Sequence, residues 1–394
     1  MQHQNDSRAE GTPGRARRVA RRVLITVPVT LVVLIVVAYL GTAAMKVPPP
    51  HTLYRVQTTE PSRWGDVFPA RTIDAAVQAT PLAAAPRTLP SGVPWKGGQI
   101  PVGQFLDTTR TDAFLVLHDG KVGYEWYRDG ITAGTRMSSW SMAKSVLSLL
   151  VGQAVERGEL AEDDRLTDLL PELRTGGDYD RITVRDLLDM ASGIDVSENY
   201  REWWPFTGTA RMYLTRDLPG FLKENRTVSY APGSRATYRS VDAEVLGLVL
   251  HRVTGRNLTD LLTERLWQPM GAERSATWNL DHPGGVEKAY CCINATAREY
   301  ARIGQLVLDQ GRDVVPAAWI TRITTPAPHR IEGWGYSALW WHPSGGHDYS
   351  AIGIYGQYIY VDPASRTVIV KLSDYGALQD EQDTFEVLRA IARS

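Results

Sequence analysis

One stretch limits what this chain can become before any motif is read. From Val23 to Met45 the sequence runs VLITVPVTLVVLIVVAYLGTAAM, 23 residues without a charge. As a helix rising about 1.5 Å per residue it would reach roughly 34 Å, against a bilayer hydrocarbon core of about 30 Å. Ahead of it Arg8, Arg15, Arg17, Arg18, Arg21 and Arg22 outnumber Asp6 and Glu10, and only Lys46 follows closely. The positive-inside rule then predicts a basic cytoplasmic tail over 1–22, a transmembrane signal anchor over 23–45, and the remainder outside the cytoplasm. Thr42-Ala43-Ala44 is small enough for a signal peptidase. A cleaved signal is therefore the competing reading, although its apolar region usually runs about 7 to 15 residues.

Beyond the span, Val47-Pro48-Pro49-Pro50 and the Thr72–Pro94 run TIDAAVQATPLAAAPRTLPSGVP are dense in Pro and Ala. Residues 46–90 read as a semi-extended spacer, and a folded domain is expected over 91–394. With 43% hydrophobic and 22% charged residues, the chain is not of a disordered, collagen-like or coiled-coil class. Its 43 Lys+Arg balance 44 Asp+Glu to −1, so no general basic surface for nucleic acid is indicated. The two cysteines, Cys291 and Cys292, are adjacent, and neighbouring residues do not easily reach unstrained disulfide geometry. A disulfide scaffold and a zinc ribbon are excluded, and the pair reads as small hydrophobes.

Within the domain, Ala113–Tyr127 (AFLVLHDGKVGYEWY) is predicted to be a hairpin turning at Asp119-Gly120, a dipeptide that tolerates positive φ. A helix begins near Ser141 and stops at Gly158; further helical stretches lie in DDRLTDLLPEL, VRDLLDMASG and VDAEVLGLVLHRVTG, the last ending at Gly255. Strand patterns return in GWGYSALWW, YSAIGIYGQYIYVDP and TVIVKLSD, before a closing helix from about Glu381. Strands early and late with helices between predict an α+β fold: an antiparallel sheet shared by both terminal segments, flanked by helices, plus a helical lobe.

The chemistry starts at Ser141-Met142-Ala143-Lys144. Residues three apart at the start of a helix share a face, so the lysine amine can reach the serine hydroxyl. A serine must lose its proton as it attacks, and a lysine accepts one only where burial or a nearby cation keeps its amine neutral. The bland alternative is an ordinary helix start in which Ser141 caps and Lys144 is solvated. Tyr238, in Tyr238-Arg239-Ser240, could pass a proton if an ammonium lay near it, yet most tyrosines are simply core. In Ala351-Ile352-Gly353-Ile354-Tyr355-Gly356-Gln357 the glycines allow a close approach, and exposed N–H groups there could bind an oxyanion. His342, His347 and Asp348 read as structural or solvated rather than as metal ligands, and no cofactor motif occurs. Trp203, Trp204, Trp340 and Trp341 are core or the walls of an apolar cleft.

Five segments in order, WSMAKSVLSLLVG, ITVRDLLDMASGI (Ile182–Ile194), YAPGSRATYRSVDAEVLGLVLHRVTG, CCINATAREYARIGQLVLDQG and AIGIYGQ, resemble the serine β-lactamase and penicillin-recognising family. Within it they are similar to the class C, esterase and 6-aminohexanoate-dimer hydrolase branch. The resemblance implies Ser141 as nucleophile, Lys144 as general base or its partner, and Tyr238 as the second proton-transfer residue. It implies an oxyanion hole from the N–H groups of Ser141 and Ile354, and substrate contacts from Tyr200 and Tyr355. A small-molecule amide or ester is the expected substrate. A penicillin-binding cell-wall D-amino-acid peptidase, or a silent binding ectodomain, is the alternative. Two departures bear on substrate. The family's Tyr-x-Asn is here Tyr238-Arg239-Ser240, and its Lys-Thr-Gly strand motif falls on Ala351-Ile352-Gly353, without a cation.

Overall fold

The computed structural model describes residues 13–200, 207–376 and 380–394, and the chain divides between Tyr54 and Arg55. In the first unit, α1 (Pro13–Ala44) is one unbroken helix. Its Ala20–Ala44 portion, with mean hydropathy 2.8, is long and apolar enough to cross a membrane; a signal sequence shares those properties.

Along the rest of the chain, α2 (Pro50–Thr58) and a 3-10 turn (Pro61–Asp66) lead to β1 (Ala70–Ile73). A small hairpin of β2 (Gly92–Trp95) and β3 (Gly98–Pro101) precedes α3 (Val102–Thr108). Then come β4 (Thr111–His118), β5 (Lys121–Tyr127), β6 (Met137–Ser138) and α4 (Met142–Glu156). The helical middle holds α5 (Leu166–Leu169), α6 (Val184–Leu188), α7 (Gly208–Leu214), α8 (Leu218–Glu224), α9 (Ser240–Thr254) and α10 (Leu258–Leu262). After β7 (Ala276–Asn279), β8 (Ile293–Ala295), α11 (Ala297–Leu308) and α12 (Ala317–Thr324) the chain returns to strands. These are β9 (Arg330–Ile331), β10 (Trp334–Ser337), β11 (Trp340–His342), β12 (Tyr349–Gly353), β13 (Gln357–Asp362) and β14 (Thr367–Ser373), closed by α13 (Glu381–Ala392).

Early and late strands do share one sheet, in the order β5-β4-β14-β13-β12-β11-β10-β9 and antiparallel throughout. Asp119 and Gly120 both take positive φ, 47° and 74°, as the β4–β5 turn requires. Alternation along the central strands sorts two cores. Phe114, Tyr358, Tyr360 and Ile369 pack with Phe385, Leu388 and Ile391 of α13. On the opposite face α11 lies so close that a Cβ on Gly304 would sit 2.5 Å from Val368 and 2.8 Å from Ile359. A second sheet, β1-β7-β8-β6, ties the helical region to the residues just before α4.

One expectation fails. Residues 46–90 are not a free spacer up to Ser91, because the second compact unit begins at Arg55. Ile73 is fully buried in β1, whose Ala70–Ile73 register runs against Asn279–Ala276. The Ala-Pro stretch beyond it hydrogen-bonds to the domain: Ala85 N–H donates to Val122 O and Arg87 N–H to Gly123 O, at 2.9 and 2.8 Å. Proline lacks one donor per residue, but the alanines and arginine between prolines keep theirs, which is enough to dock an irregular strand.

Candidate active site

Just ahead of α4 the backbone makes a sharp turn in which Trp140 has φ +47°, a conformation a bulky residue adopts only when its surroundings impose it. Ser141 follows at the helix N-cap, yet its side chain makes no capping bond. Lys144, one turn on, is buried, which removes the reading of a solvated lysine beside a capping serine. Lys144 Nζ donates to Ser141 Oγ at 2.7 Å, to Ser240 Oγ at 3.1 Å and to Tyr290 O at 2.9 Å.

The direction of these bonds decides what the amine can do. Ser240, the first residue of α9, spends its own proton on Glu198, donating Oγ–H to Oε1 at 2.6 Å while its N–H donates to Oε2 at 2.8 Å. Ser240 Oγ can therefore only accept from Lys144, and the Tyr290 carbonyl can only accept. A neutral Lys144 has two N–H bonds for these two acceptors, leaving its lone pair for the Ser141 hydroxyl. Burial brings the amine down to about 8, against the opposing pull of Glu198, Asp242 and Glu244.

Tyr238 lies beside this pair, its ring 4.9 Å from Lys144 Nζ. Burial pushes its phenol well up and Glu198 adds to this, with the Ser141 hydroxyl acting the other way. A cavity of about 180 Å³ opens over Ser141, lined also by Tyr238, Tyr200, Gly353, Ile354 and Trp341. Tyr200 O–H donates to Glu198 Oε1 at 3.2 Å. Ser141, Lys144, Tyr238, Tyr200 and Ile354 are thus brought together. Tyr355 stands apart from the cavity lining, its ring packed 4.6 Å from that of Trp140.

Three carboxylates on the cavity wall, Glu198, Glu332 and Glu381, escaped the sequence reading. Burial first and Glu332 second bring Glu381 up to about 7. Glu198 stands two residues before Tyr200, and that spacing was the one available signal; Glu332 and Glu381 sit in a loop and at a helix start with no motif around them. Two arginines of the helical and strand regions, Arg239 and Arg330, donate to backbone carbonyls, Val196 O and Gly333 O, and neither is among the residues lining the cavity.

Trp341 lines the cavity, Trp340 is fully buried core, and Trp203 and Trp204 lie outside the described residues. His342 is buried with Nε2 on Ile323 O, and Asp348 pairs with Arg389. Cys291 and Cys292 are corrected: they are joined as a vicinal disulfide, packed out of solvent between β7 and β8. Cys292 takes a positive φ, 75°, a conformation the sequence does not announce.

Residues 102–393 match the family model described as Beta-lactamase. The 6-aminohexanoate-dimer hydrolase of Paenarthrobacter ureafaciens is 30% identical over 338 residues, 80% of this chain and 84% of that protein. A D-aminopeptidase of Brucella anthropi is 29% identical over 172 residues, 40% of this chain and 31% of its own length. A structure from Bacillus anthracis, named as a candidate 6-aminohexanoate-dimer hydrolase, superimposes with TM-score 0.75 at 22% identity, over 86% of this chain and 92% of that one. This chain belongs to the beta-lactamase family, close to its 6-aminohexanoate-dimer hydrolase branch, and is an enzyme with that family's serine-hydrolase chemistry.

Proposed function

We propose that the enzyme hydrolyses small linear amides or esters, of the kind named for the 6-aminohexanoate-dimer hydrolases, through an acyl-enzyme on Ser141. The observation that carries this reading is the 2.7 Å contact between Lys144 Nζ and Ser141 Oγ, with the other two amine contacts taken by acceptors. Neutral Lys144 takes the Ser141 proton as Oγ bonds to the substrate carbonyl carbon. Charge collects on the carbonyl oxygen, facing the N–H groups of Ser141 and Ile354. Tyr238, protonated at neutral pH, gives its proton to the departing amine or alcohol and is reprotonated from the Lys144 ammonium. Water then attacks the acyl carbon, loses its proton to the same pair, and releases the acid and free Ser141. Tyr200 holds the substrate beside Glu198, while Tyr355, packed on Trp140, backs the Ile354 segment rather than the substrate itself.

Substrate charge follows from the cavity wall. Ala351 stands where a lactamase cation would face a carboxylate, and Glu198 and Glu332 repel one, joined by Glu381 above about pH 7. Neutral or amine-bearing substrates fit. The same wall suits the free ammonium of a peptide, which favours a D-aminopeptidase-like activity as the second reading. We also propose that residues 23–45 anchor the protein by a single span, with residues 1–22 cytoplasmic and the hydrolase domain outside. A periplasmic-type reporter fused after Pro94 is expected to be active, and one active only in the cytoplasm would reverse that topology.

The test is a panel of p-nitrophenyl butyrate, linear aminohexanoate oligomers, D-alanyl amides and nitrocefin, with Ser141→Ala and fluorophosphonate labelling alongside. Ser141 is expected to carry the label and Ser141→Ala to lose all turnover. Nitrocefin should lag the ester roughly ten- to a hundredfold in kcat/KM, the value of a charge-assisted hydrogen bond of about 1.5–3 kcal/mol. A label elsewhere removes the mechanism. Lactam turnover exceeding ester turnover removes the substrate class, and preference for D-alanyl amides selects the second reading.

A further inference from the structure

We infer that the turn Pro61–Trp64, lying in sequence between the apolar helix and the catalytic sheet, is a positioning element for the two oxyanion-binding amides. The inference rests on the assignment of Ser141 and Ile354 above. Those amides belong to separate segments, and the contact between them is backbone-close. A Cβ on Gly353 would lie 2.8 Å from Ser139 O and 3.0 Å from Trp140 Cβ. Their relative position is therefore set by the residues beside them, Trp140 before Ser141 and Tyr355 after Ile354.

Trp64 touches both. Its ring lies 5.1 Å from that of Trp140 and 6.4 Å from that of Tyr355, with Tyr213 completing the cluster at 5.6 Å. Trp140 holds a left-handed backbone conformation, which persists only while its surroundings over-determine it. The same turn supplies one of those constraints directly, because Trp140 Nε1–H donates to Pro61 O at 3.2 Å. Tyr213 supplies another, stacked on Trp140 at 5.7 Å.

The turn is itself fixed at three points. Ser62 donates its N–H and O–H to the buried Asp374 carboxylate at 2.7 and 2.8 Å. Tyr375, the next residue, donates its N–H to Tyr355 O at 3.1 Å, so this anchor also ends on the Ile354 segment. Asn279 of β7 donates Nδ2–H to Gly65 O at 3.0 Å. Trp64 Nε1–H is satisfied by Thr59 O, two residues ahead of the turn, at 2.8 Å, which orients its ring. One turn thus joins the strained residue before the first amide to the segment that carries the second.

The experiment compares Trp64→Ala and Trp64→Phe in the full chain, using p-nitrophenyl butyrate and its thionoester, with rates normalised to fluorophosphonate-titrated sites. A set oxyanion hole favours a developing O⁻ over the larger, weaker acceptor S⁻, so the oxygen-to-sulfur ratio of kcat/KM reports its geometry. Loss of one such donor costs about 10²–10³ in rate, and a displaced pair costs part of that. Trp64→Ala is expected to lower oxygen-ester kcat/KM about 10- to 100-fold, with the thionoester falling less, so that the ratio drops at least about fivefold. Trp64→Phe should restore the ratio to within about threefold, since it keeps a ring against Trp140. If Trp64→Ala leaves no titratable sites, Trp64→Leu, which keeps apolar bulk without a ring, is read the same way. Equal loss on both esters, or an unchanged ratio, overturns the inference. Activity surviving in Ser141→Ala overturns the underlying assignment instead, so the two failures are distinguishable.

Discussion

Lys144 sets the pH behaviour at the residue scale. The base must be neutral to act, and burial has brought its amine down to about 8. In the proposed mechanism kcat/KM therefore rises with pH, half-maximal near 8, and falls about tenfold per unit well below that. Glu198 is the leading charge opposing the drop. Replacing it by Gln removes a negative neighbour, which disfavours the ammonium and moves the limb to lower pH, while the amide oxygen can still accept from Ser240. The pH profile of Glu198→Gln measures this, and a limb that stays put or moves upward would take Glu198 out of the Lys144 environment. The Ser141–Lys144 relation was legible because three residues on a helix are neighbours whatever the fold does. Glu198 reaches Ser240 across 42 positions, a contact made by tertiary packing and invisible to local spacing.

The same division between local and distant holds for the elements. The β4–β5 hairpin, α4 and α9 were legible because each carries its own period and its own stop: Asp119-Gly120 at the turn, Gly158 after α4, and Gly255 at φ 65° closing α9. The β1-β7-β8-β6 sheet was not, because its strands span only two to four residues and Ala70 finds its partner at Asn279. How closely α11 seats on the main sheet was likewise hidden, since a lone Gly304 in a helix is locally unfavourable. Its reason is contact: Val368 and Ile359 occupy the space a Cβ would need. Both are β-branched with little rotamer freedom, so Gly304→Ala must push helix from sheet. Overpacking of this kind costs about 1–3 kcal/mol, partly offset by roughly 1 kcal/mol of helix propensity. The urea midpoint should fall with m unchanged; a midpoint that holds or rises would mean the sheet relaxes at no cost.

For the whole molecule, the question is where the enzyme begins. Composition placed the boundary at Ser91 because Pro and Ala dominate the preceding residues, and composition is blind to whether a segment is covered by something else. The folded unit starting at Arg55 answers differently. A fragment 91–394 loses β1, leaving Trp278 and its neighbours on β7 with an open edge, and loses the buried side chains of Val67, Phe68 and Ile73. It also leaves Asp374 without the two Ser62 donors inside the protein, a buried carboxylate stripped of charge-assisted bonds. Burying a side chain the size of Val, Ile or Phe is worth about 1.5–3 kcal/mol, so three of them alone approach the 5–15 kcal/mol that holds a domain together. Fragment 91–394 is therefore expected to aggregate or bind a hydrophobic dye without turning over ester, whereas fragment 55–394, made without the apolar helix, should be soluble, cooperative in unfolding and active. Expression of the two side by side, with p-nitrophenyl butyrate turnover and far-UV circular dichroism melts, decides between the boundaries. Full ester turnover from 91–394 would mean that residues 55–90 merely rest on a domain complete without them, and would count equally against a positioning role for Trp64.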